Sequence, residues 1–357
     1  MIEQFLEKEK QNVNEYLVQY FKDLENEEDD VFLKDFIHQY KEFVLNEKAK
    51  RLHPILLIAG FVGIINPIYL EMQLDEIRKT SIAVELMHTG HLIHDDLLDK
   101  DLIRRDKPAF HVQLMNELKE IYNNSSATDK QWLIKEYGRD LSILGGTEGY
   151  LLGLDVIKKS HFPDKLKMLA INEYTSAMNY LMKGQIIEEY MNYHNITMTI
   201  EQYLTLVEMQ RARLMEESVK IGAILAKGNY HYQIKPLSEA ILKIGQAFAI
   251  RDDILDMRED IKARAKRIIY ILALQNANEE QSQKLKEIYS QEEVSKNDIE
   301  IVERIFAETN AVIIAEHFSK NLVVQAKNYL KEIYPDLNKE QKVFFNEFAD
   351  YIYMRDF

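Results

Sequence analysis

Apolar residues recur along this chain at intervals of three and four, the period of one helical face, and nowhere alternate in the convincing manner of a β-strand. Ile82, Leu86, Ile93 and Leu97 form one such stripe, and Ile241, Ile244 and Phe248 begin another. The pattern breaks where turn-forming residues gather, at Asn66-Pro67, Asn123-Asn124-Ser125-Ser126, His161-Phe162-Pro163-Asp164, His194-Asn195 and Gly228 to Pro236. Long helices joined by short turns are therefore predicted, the first of them within residues 1–40. No self-similar period and no linker stands out, which disfavours a solenoid and a multidomain chain. Residues 1–357 read as a single all-α domain, a layered bundle with its ligand site between helices, and the polar stretch 122–131 reads as a surface insertion.

Composition agrees with helices: 12 Gly and 6 Pro in 357 residues are roughly half the usual shares. The absence of Cys removes disulfides, thiolate metal sites and cysteine nucleophiles. A formal charge of −14 argues against a nucleic-acid partner, whose phosphates require a basic footprint. The longest apolar run, Ile55 to Ile65, falls short of the ~20 residues a spanning helix needs. The first residues also lack the basic-then-apolar order of a signal peptide. No transmembrane segment is expected, and the chain reads as soluble and cytoplasmic.

The candidate chemistry lies in two acidic clusters. His94-Asp95-Asp96-Leu97-Leu98-Asp99 closes one apolar helix, and Asp252-Asp253-Ile254-Leu255-Asp256 closes another. On a helix the first and third aspartates of each cluster lie one turn apart on one face. Adjacent carboxylates on a largely buried helix need a cation, and hard oxygen ligands suit Mg²⁺, which completes its shell with water and substrate phosphate. Arg104 and Arg105 follow the first cluster, and Lys50 and Arg51 precede it in sequence; all are suitable phosphate ligands.

These residues resemble the trans-type isoprenyl diphosphate synthases, the polyprenyl synthetases. The resemblance rests on His88-Thr89-Gly90-His91-Leu92-Ile93-His94-Asp95-Asp96-Leu97-Leu98-Asp99, on Arg104-Arg105-Asp106-Lys107-Pro108, and on Gly245-Gln246-Ala247-Phe248 before Asp252-Asp253. It implies an orthogonal helix bundle with a central substrate cavity, the isoprenoid synthase fold, acting as a homodimer. It also implies Mg²⁺, about three ions, and prenyl diphosphates as substrates. Asp95, Asp99 and Asp252 would hold the metal, with Asp96, Asp253 and Asp256 supporting them. Arg104 would hold the allylic diphosphate, while Lys50, His88 and Arg105 would hold isopentenyl diphosphate. Gln185 and Glu188 resemble the family's Gly-Gln-x-x-Asp segment beneath the metals.

Several positions depart from the family pattern. His53 stands where an isopentenyl-diphosphate-binding arginine is expected, and Gln210-Arg211 replaces a Lys-Thr pair at the allylic diphosphate. Ala249 replaces a glutamine, and the loop after the second cluster is shortened, leaving Lys266 as a candidate diphosphate ligand. His53 can still bind phosphate as a neutral donor or as an imidazolium, and Arg211 can compensate for the missing lysine. The same resemblance places chain-length control at Gly90 and His91, with Met87 and Ala83 deeper; their small or flexible side chains imply geranylgeranyl diphosphate or a longer product. Gly90→Phe is expected to shorten it.

Three other readings fit parts of the pattern. A terpene synthase that ionises one prenyl diphosphate without isopentenyl diphosphate accounts for His53, Gln210 and Ala249, but not for the retained Lys50, His88 and Arg105. A histidine-aspartate phosphohydrolase accounts for His88, His91, His94 and Asp95, and leaves the second cluster unexplained. A non-catalytic partner subunit accounts for the altered positions, and leaves two intact acidic motifs unexplained.

Overall fold

A computed structural model of the chain describes residues 2–122 and 130–354. In chain order the helices are α1 (Ile2–Glu27), α2 (Val31–Val44), α3 (Leu52–Ile64), α4 (Pro67–Leu98), α5 (Phe110–Tyr122), α6 (Gln131–Lys159), α7 (Asp164–Tyr193) and α8 (Ile200–Val207). They continue as α9 (Arg213–Leu225), α10 (Lys235–Leu255), α11 (Met257–Ala263), α12 (Ile268–Asn276), α13 (Glu279–Tyr289), α14 (Lys296–Glu308), α15 (Ala311–Lys331) and α16 (Lys339–Met354). Two π-helical turns, Glu208–Ala212 and Tyr230–Ile234, lead into α9 and α10. Most of the expected insertion, residues 123–129, lies outside the described residues.

The break predicted at Asn66-Pro67 coincides with a helix cap. Asn66 accepts a hydrogen bond from the Ile68 N–H, and Pro67 occupies the first turn, where its missing N–H has no helical partner to lose. Thr199 and Gln202 form a capping box at α8, and Asn278 and Gln281 form another at α13. The break expected from Gly228 to Pro236 is narrower than the composition implied. A π turn begins at Tyr230 and runs directly into α10, with Pro236 in that helix's first turn.

The chain packs as two compact units. The first comprises Met1–Met178 and Ser218–Gly228. Its α3 is apolar on every side and buried from Pro54 to Gly63, as a central helix must be. Beside it, α4 is buried well beyond a single stripe, from Thr80 through Met87. Its hydroxyls there are satisfied locally: Thr80 donates to the Glu76 carbonyl and Ser81 to that of Arg78. The one sheet among the described residues is a two-residue antiparallel ladder, Ile103–Arg104 (β1) with Lys107–Pro108 (β2). Arg105 and Asp106, both with positive φ, form its turn, the signature of a type I′ hairpin. Two-residue strands are too short to leave an alternating trace, so the sequence pattern missed them.

The second unit comprises Asn179–Glu217 and Asn229–Phe357. Here α10 is packed on α15, where the buried Ser319 hydroxyl donates to the Ala247 carbonyl at 3.1 Å. On another side Gly245 meets the π turn, and a Cβ at that glycine would come within 2.6 Å of Ala212 Cα.

Close backbone approach also sets the packing of α4 on α6. A Cβ on Gly90 would collide with the Gly146 carbonyl oxygen, and one on Gly149 or Gly153 would collide with the backbone of Leu86 or Ala83. Gly90 therefore seals a helix pair, which corrects its reading as an open position on a product tunnel. Gly90→Ala is expected to lower stability by about 1–3 kcal/mol, because a methyl must be inserted where the obstacle is backbone. Urea denaturation checks this, and an unchanged midpoint would place α6 elsewhere. Gly90→Phe is expected to fail to fold rather than to shorten a product, as the soluble yield on expression would report.

Candidate active site

The first acidic cluster occupies the last turn of α4, and its three aspartates have different surroundings. Asp96 is fully buried and accepts from Arg104 Nε at 2.6 Å, with Arg104 Nη2 on the same oxygen. Its other oxygen, Oδ2, is buried with no hydrogen-bond partner among the described residues. Burial pushes the Asp96 carboxyl up to about 6, against the pull of Arg104. Asp95 is half-buried, with Arg104 Nη2 3.4 Å from its Oδ2. Asp99 is exposed at the C-cap, where its N–H donates to the Asp95 carbonyl at 2.9 Å. The hairpin turn holds Arg104 in place, which is why a motif of two arginines and a turn follows the acids.

In the second unit the same order repeats on α10. Asp252 is half-buried, Asp253 is buried, and Asp256 is exposed at the C-cap with its N–H on the Asp252 carbonyl at 2.8 Å. Asp253 is fixed by Tyr203, whose hydroxyl donates to Oδ2 at 2.5 Å. Arg211, carried on the π turn, lies 3.9 Å from Asp252 and 3.7 Å from Asp253. Insertions of this helical type are frequent at functional sites, where they re-aim a side chain. Both clusters thus end helices at the negative pole of the helix dipole, where added carboxylates are unfavourable and cations favourable.

A polar network extends from the second cluster through residues that the sequence singled out only in part. Gln210 donates to Glu188, and Glu188 also accepts from Arg267 at 2.7 Å. Burial raises the Glu188 carboxyl, but Arg267 and Gln210 outweigh it and leave the group below its ordinary value. Gln185, nearly buried, donates to Glu189 at 3.2 Å. Lys266 is tied to Asn195, donating to its backbone oxygen at 3.2 Å and to its side chain. The cation beside the acids after the shortened loop is therefore Arg267, which corrects the reading of Lys266. Arg267, Tyr203 and Asp260 were missed; the only local signal for Arg267 was its place at the head of the apolar run Ile268 to Leu274.

In the first unit the basic residues divide. Arg51 is 2% exposed, and its guanidinium is committed to Glu85, to Asn14 Oδ1 at 2.8 Å and to the Val44 carbonyl at 2.7 Å. It anchors the chain entering α3, and this corrects its reading as a phosphate ligand. Lys50, one residue earlier, is exposed. His53 and His88 lie with ring centroids 4.5 Å apart, and Arg105 is half-buried on the hairpin turn. Of the positions assigned to chain length, Ala83 and Met87 are fully buried and His91 is 8% exposed.

Among the described residues no three carboxylate or imidazole groups converge to enclose a metal ion unaided. Paired aspartates at a helix end, with a buried and unpartnered Asp96 Oδ2 behind them, nonetheless fit Mg²⁺. This ion seldom takes an all-protein cage and fills its octahedron with water and phosphate oxygens.

Asp260 offers a pH test of the second cluster. Burial, with Asp253 reinforcing it, raises its carboxyl from 3.8 to about 7, against Arg267 and Arg211. The folded protein thus holds a proton there that the unfolded chain has released, so this group's contribution to stability falls as pH rises from about 4 to about 7. Asp260→Asn is expected to match the wild type in stability near pH 4 and to exceed it increasingly up to about pH 7. Chemical denaturation across that range checks this, and a pH-independent difference would show that Asp260 is not desolvated.

The pattern of the polyprenyl synthetase family matches residues 34–307. A short chain isoprenyl diphosphate synthase of Methanocaldococcus jannaschii is 28% identical over 282 residues, covering 74% of each chain. A geranylgeranyl diphosphate synthase of Methanosarcina mazei is 25% identical over 331 residues, covering 90% of each. In fold, the chain is similar to the geranylgeranyl pyrophosphate synthase of Corynebacterium glutamicum complexed with isoprenyl diphosphate and magnesium, with a TM-score of 0.85 across 100% of both chains at 21% identity. With the match running through most of the chain and over both acidic clusters, this chain belongs to the polyprenyl synthetase family and is a trans-prenyltransferase.

Proposed function

We propose that this enzyme condenses isopentenyl diphosphate with an allylic diphosphate and releases an all-trans prenyl diphosphate of geranylgeranyl length or longer. The observation that carries the reading is the repeated acidic helix end, each with a buried and hydrogen-bonded second aspartate between two accessible ones. Asp95, Asp99 and Asp252 would hold Mg²⁺, which when bound neutralises the departing diphosphate. Arg104 and Arg211 supply fixed positive charge beside the acids, preorganised to receive phosphate oxygens. The allylic carbon–oxygen bond breaks, the double bond of isopentenyl diphosphate attacks the resulting cation, and a proton leaves to restore the alkene. The released diphosphate is the base that takes it. The apolar residues of α4, Ala83 and Met87 among them, keep water from the cation.

The relatives support the product range, since they include a geranylgeranyl diphosphate synthase and a geranylfarnesyl diphosphate synthase. They do not favour ionisation without isopentenyl diphosphate. A homodimer belongs to the same reading and is supported by the exposed apolar side chains Ile143, Leu144 and Leu151 on α6. Among the described residues no helix is long and apolar enough to cross a membrane, which accords with action in the cytoplasm.

The test is incubation with Mg²⁺, labelled isopentenyl diphosphate and each of the dimethylallyl, geranyl, farnesyl and geranylgeranyl diphosphates, followed by phosphatase and separation by length. Label is expected in a linear alcohol of geranylgeranyl length or longer, and chelation of the metal should abolish it. Asp95→Asn and Asp252→Asn should each cut turnover on the order of 10³-fold while leaving the fold intact. Consumption of a prenyl diphosphate without incorporated label would overturn the elongation reading.

A further inference from the structure

The hairpin that carries Arg104 and Arg105 is too short to hold itself in place. Its strands pair only Ile103 with Pro108 and Arg104 with Lys107, and an isolated hairpin is marginal even at greater length. Its position must therefore be fixed from outside. On one side Arg104 donates to Asp96 at 2.6 Å, and where the chain leaves the hairpin the Ala109 N–H donates to the Leu102 carbonyl at 3.0 Å. On the other side the turn is held by the segment between α2 and α3. There the Asn46 side chain donates from Nδ2 to the Arg105 carbonyl at 3.4 Å, and Lys48 pairs with Asp106.

Asn46 is buried, at 7% exposed, and all of its polar groups on this side are used. Its carbonyl accepts from the Ala49 N–H at 3.0 Å and closes a turn over residues 46–49, while its Oδ1 accepts from the Lys48 N–H at 2.9 Å. The second bond is the local side-chain turn for which asparagine is suited, and it leaves the amide nitrogen as the end that faces the hairpin. The segment is rigid in its own right, because Arg51 at its end donates to the carbonyl of Val44 at its start at 2.7 Å. Lys48 and Asp106 are both mostly exposed, and an ion pair in water adds little. Among the described residues, the Asn46 amide is thus the buried link between a fixed loop and a hairpin that its own ladder cannot hold.

We propose that Asn46 is a positioning residue for elongation: it clasps the hairpin turn to the loop before α3 and so sets the spacing between Arg105 and Lys50. This rests on the elongation reading given above, with those two side chains as the ones that meet isopentenyl diphosphate. Asn46 touches no substrate and acts through the backbone of Arg105, whose φ of 52° is uncommon for any residue but glycine. A backbone kept in such a conformation by its surroundings relaxes when a holding bond is removed, and the Arg105 side chain swings with it. Arg104 is spared, since its bonds to Asp96 and Asp101 fix it from the other side. Loss of the Asn46 bond therefore acts on isopentenyl diphosphate and not on the allylic substrate.

The experiment is steady-state elongation by the full-length protein with Mg²⁺, each substrate varied at saturating levels of the other, for wild type, Asn46→Asp and Asn46→Ser. Both replacements can accept from the Lys48 N–H and keep the turn. Neither can donate to the Arg105 carbonyl, because the carboxylate has no proton to give and the serine hydroxyl is too short to reach. Each is expected to raise KM for isopentenyl diphosphate about threefold to tenfold, the effect of one hydrogen bond, with kcat and the allylic KM within about twofold of wild type. Lys48→Ala is expected to move either KM by less than about twofold. Hydrogen exchange of the free proteins reads the clasp without turnover: the hairpin amides should exchange faster in both Asn46 variants, and those of α3 should not. A fall in kcat with both KM values unchanged would give Asn46 a purely structural role and overturn the proposal. Unchanged kinetics, equal exchange, or a rise confined to the allylic KM would also overturn it, and each leaves the elongation reading standing. Absence of labelled product from the wild type would overturn that reading and the proposal with it.

Discussion

The constraint on which the molecule depends is the approach of helix backbones just below each acidic cluster. A glycine makes that approach possible in both units: Gly90 against Gly146 on α6, and Gly245 against Ala212 on the π turn. Helix ends crowded with carboxylates are under strain from their mutual repulsion and from the helix dipole. Without an anchor the last turn would fray. Gripping α4 five residues before Asp95, and α10 seven residues before Asp252, converts that repulsion from a disordering force into a standing demand for a cation.

The three aspartates of each cluster respond to this differently according to burial. The middle one turns inward and is held by a fixed donor, Arg104 for Asp96 and Tyr203 for Asp253. The outer two stay accessible, and a backbone bond from the third residue to the first keeps them one turn apart. Two unrelated donors thus perform one task. What matters is a donor that cannot move away, because a buried carboxylate left unpaired is costly. The same requirement explains Arg267 on Glu188 and Arg51 on Glu85. Arg51 is buried and Arg267 half-buried, each is committed to a carboxylate, and each holds a chain segment next to a cluster.

Much of this was legible in the chain. Helical periodicity, the break at Asn66-Pro67 and the doubled aspartate motif are local patterns, and local patterns survive in one dimension because side-chain spacing along a helix is fixed. The hairpin was not legible, since two-residue strands have no period. Nor was the role of Gly90: an absent side chain looks the same whether it opens a tunnel or admits a neighbouring helix.

Roles that depend on a partner distant in sequence could be decided only by the fold. Lys50 and Arg51 are adjacent basic residues, and residue type and spacing offered no ground for separating them. The positive φ at Arg51 and the buried Glu85 turn one inward and leave the other exposed. Lys266 and Arg267 are separated likewise by Asn195 and Glu188. Sequence by itself therefore determined the helical class, the family and the place of the paired carboxylates at two helix ends, because these follow from residue type and spacing. Tertiary structure decided which cations remain available to a phosphate, because that depends on which carboxylates they meet first when the chain is buried.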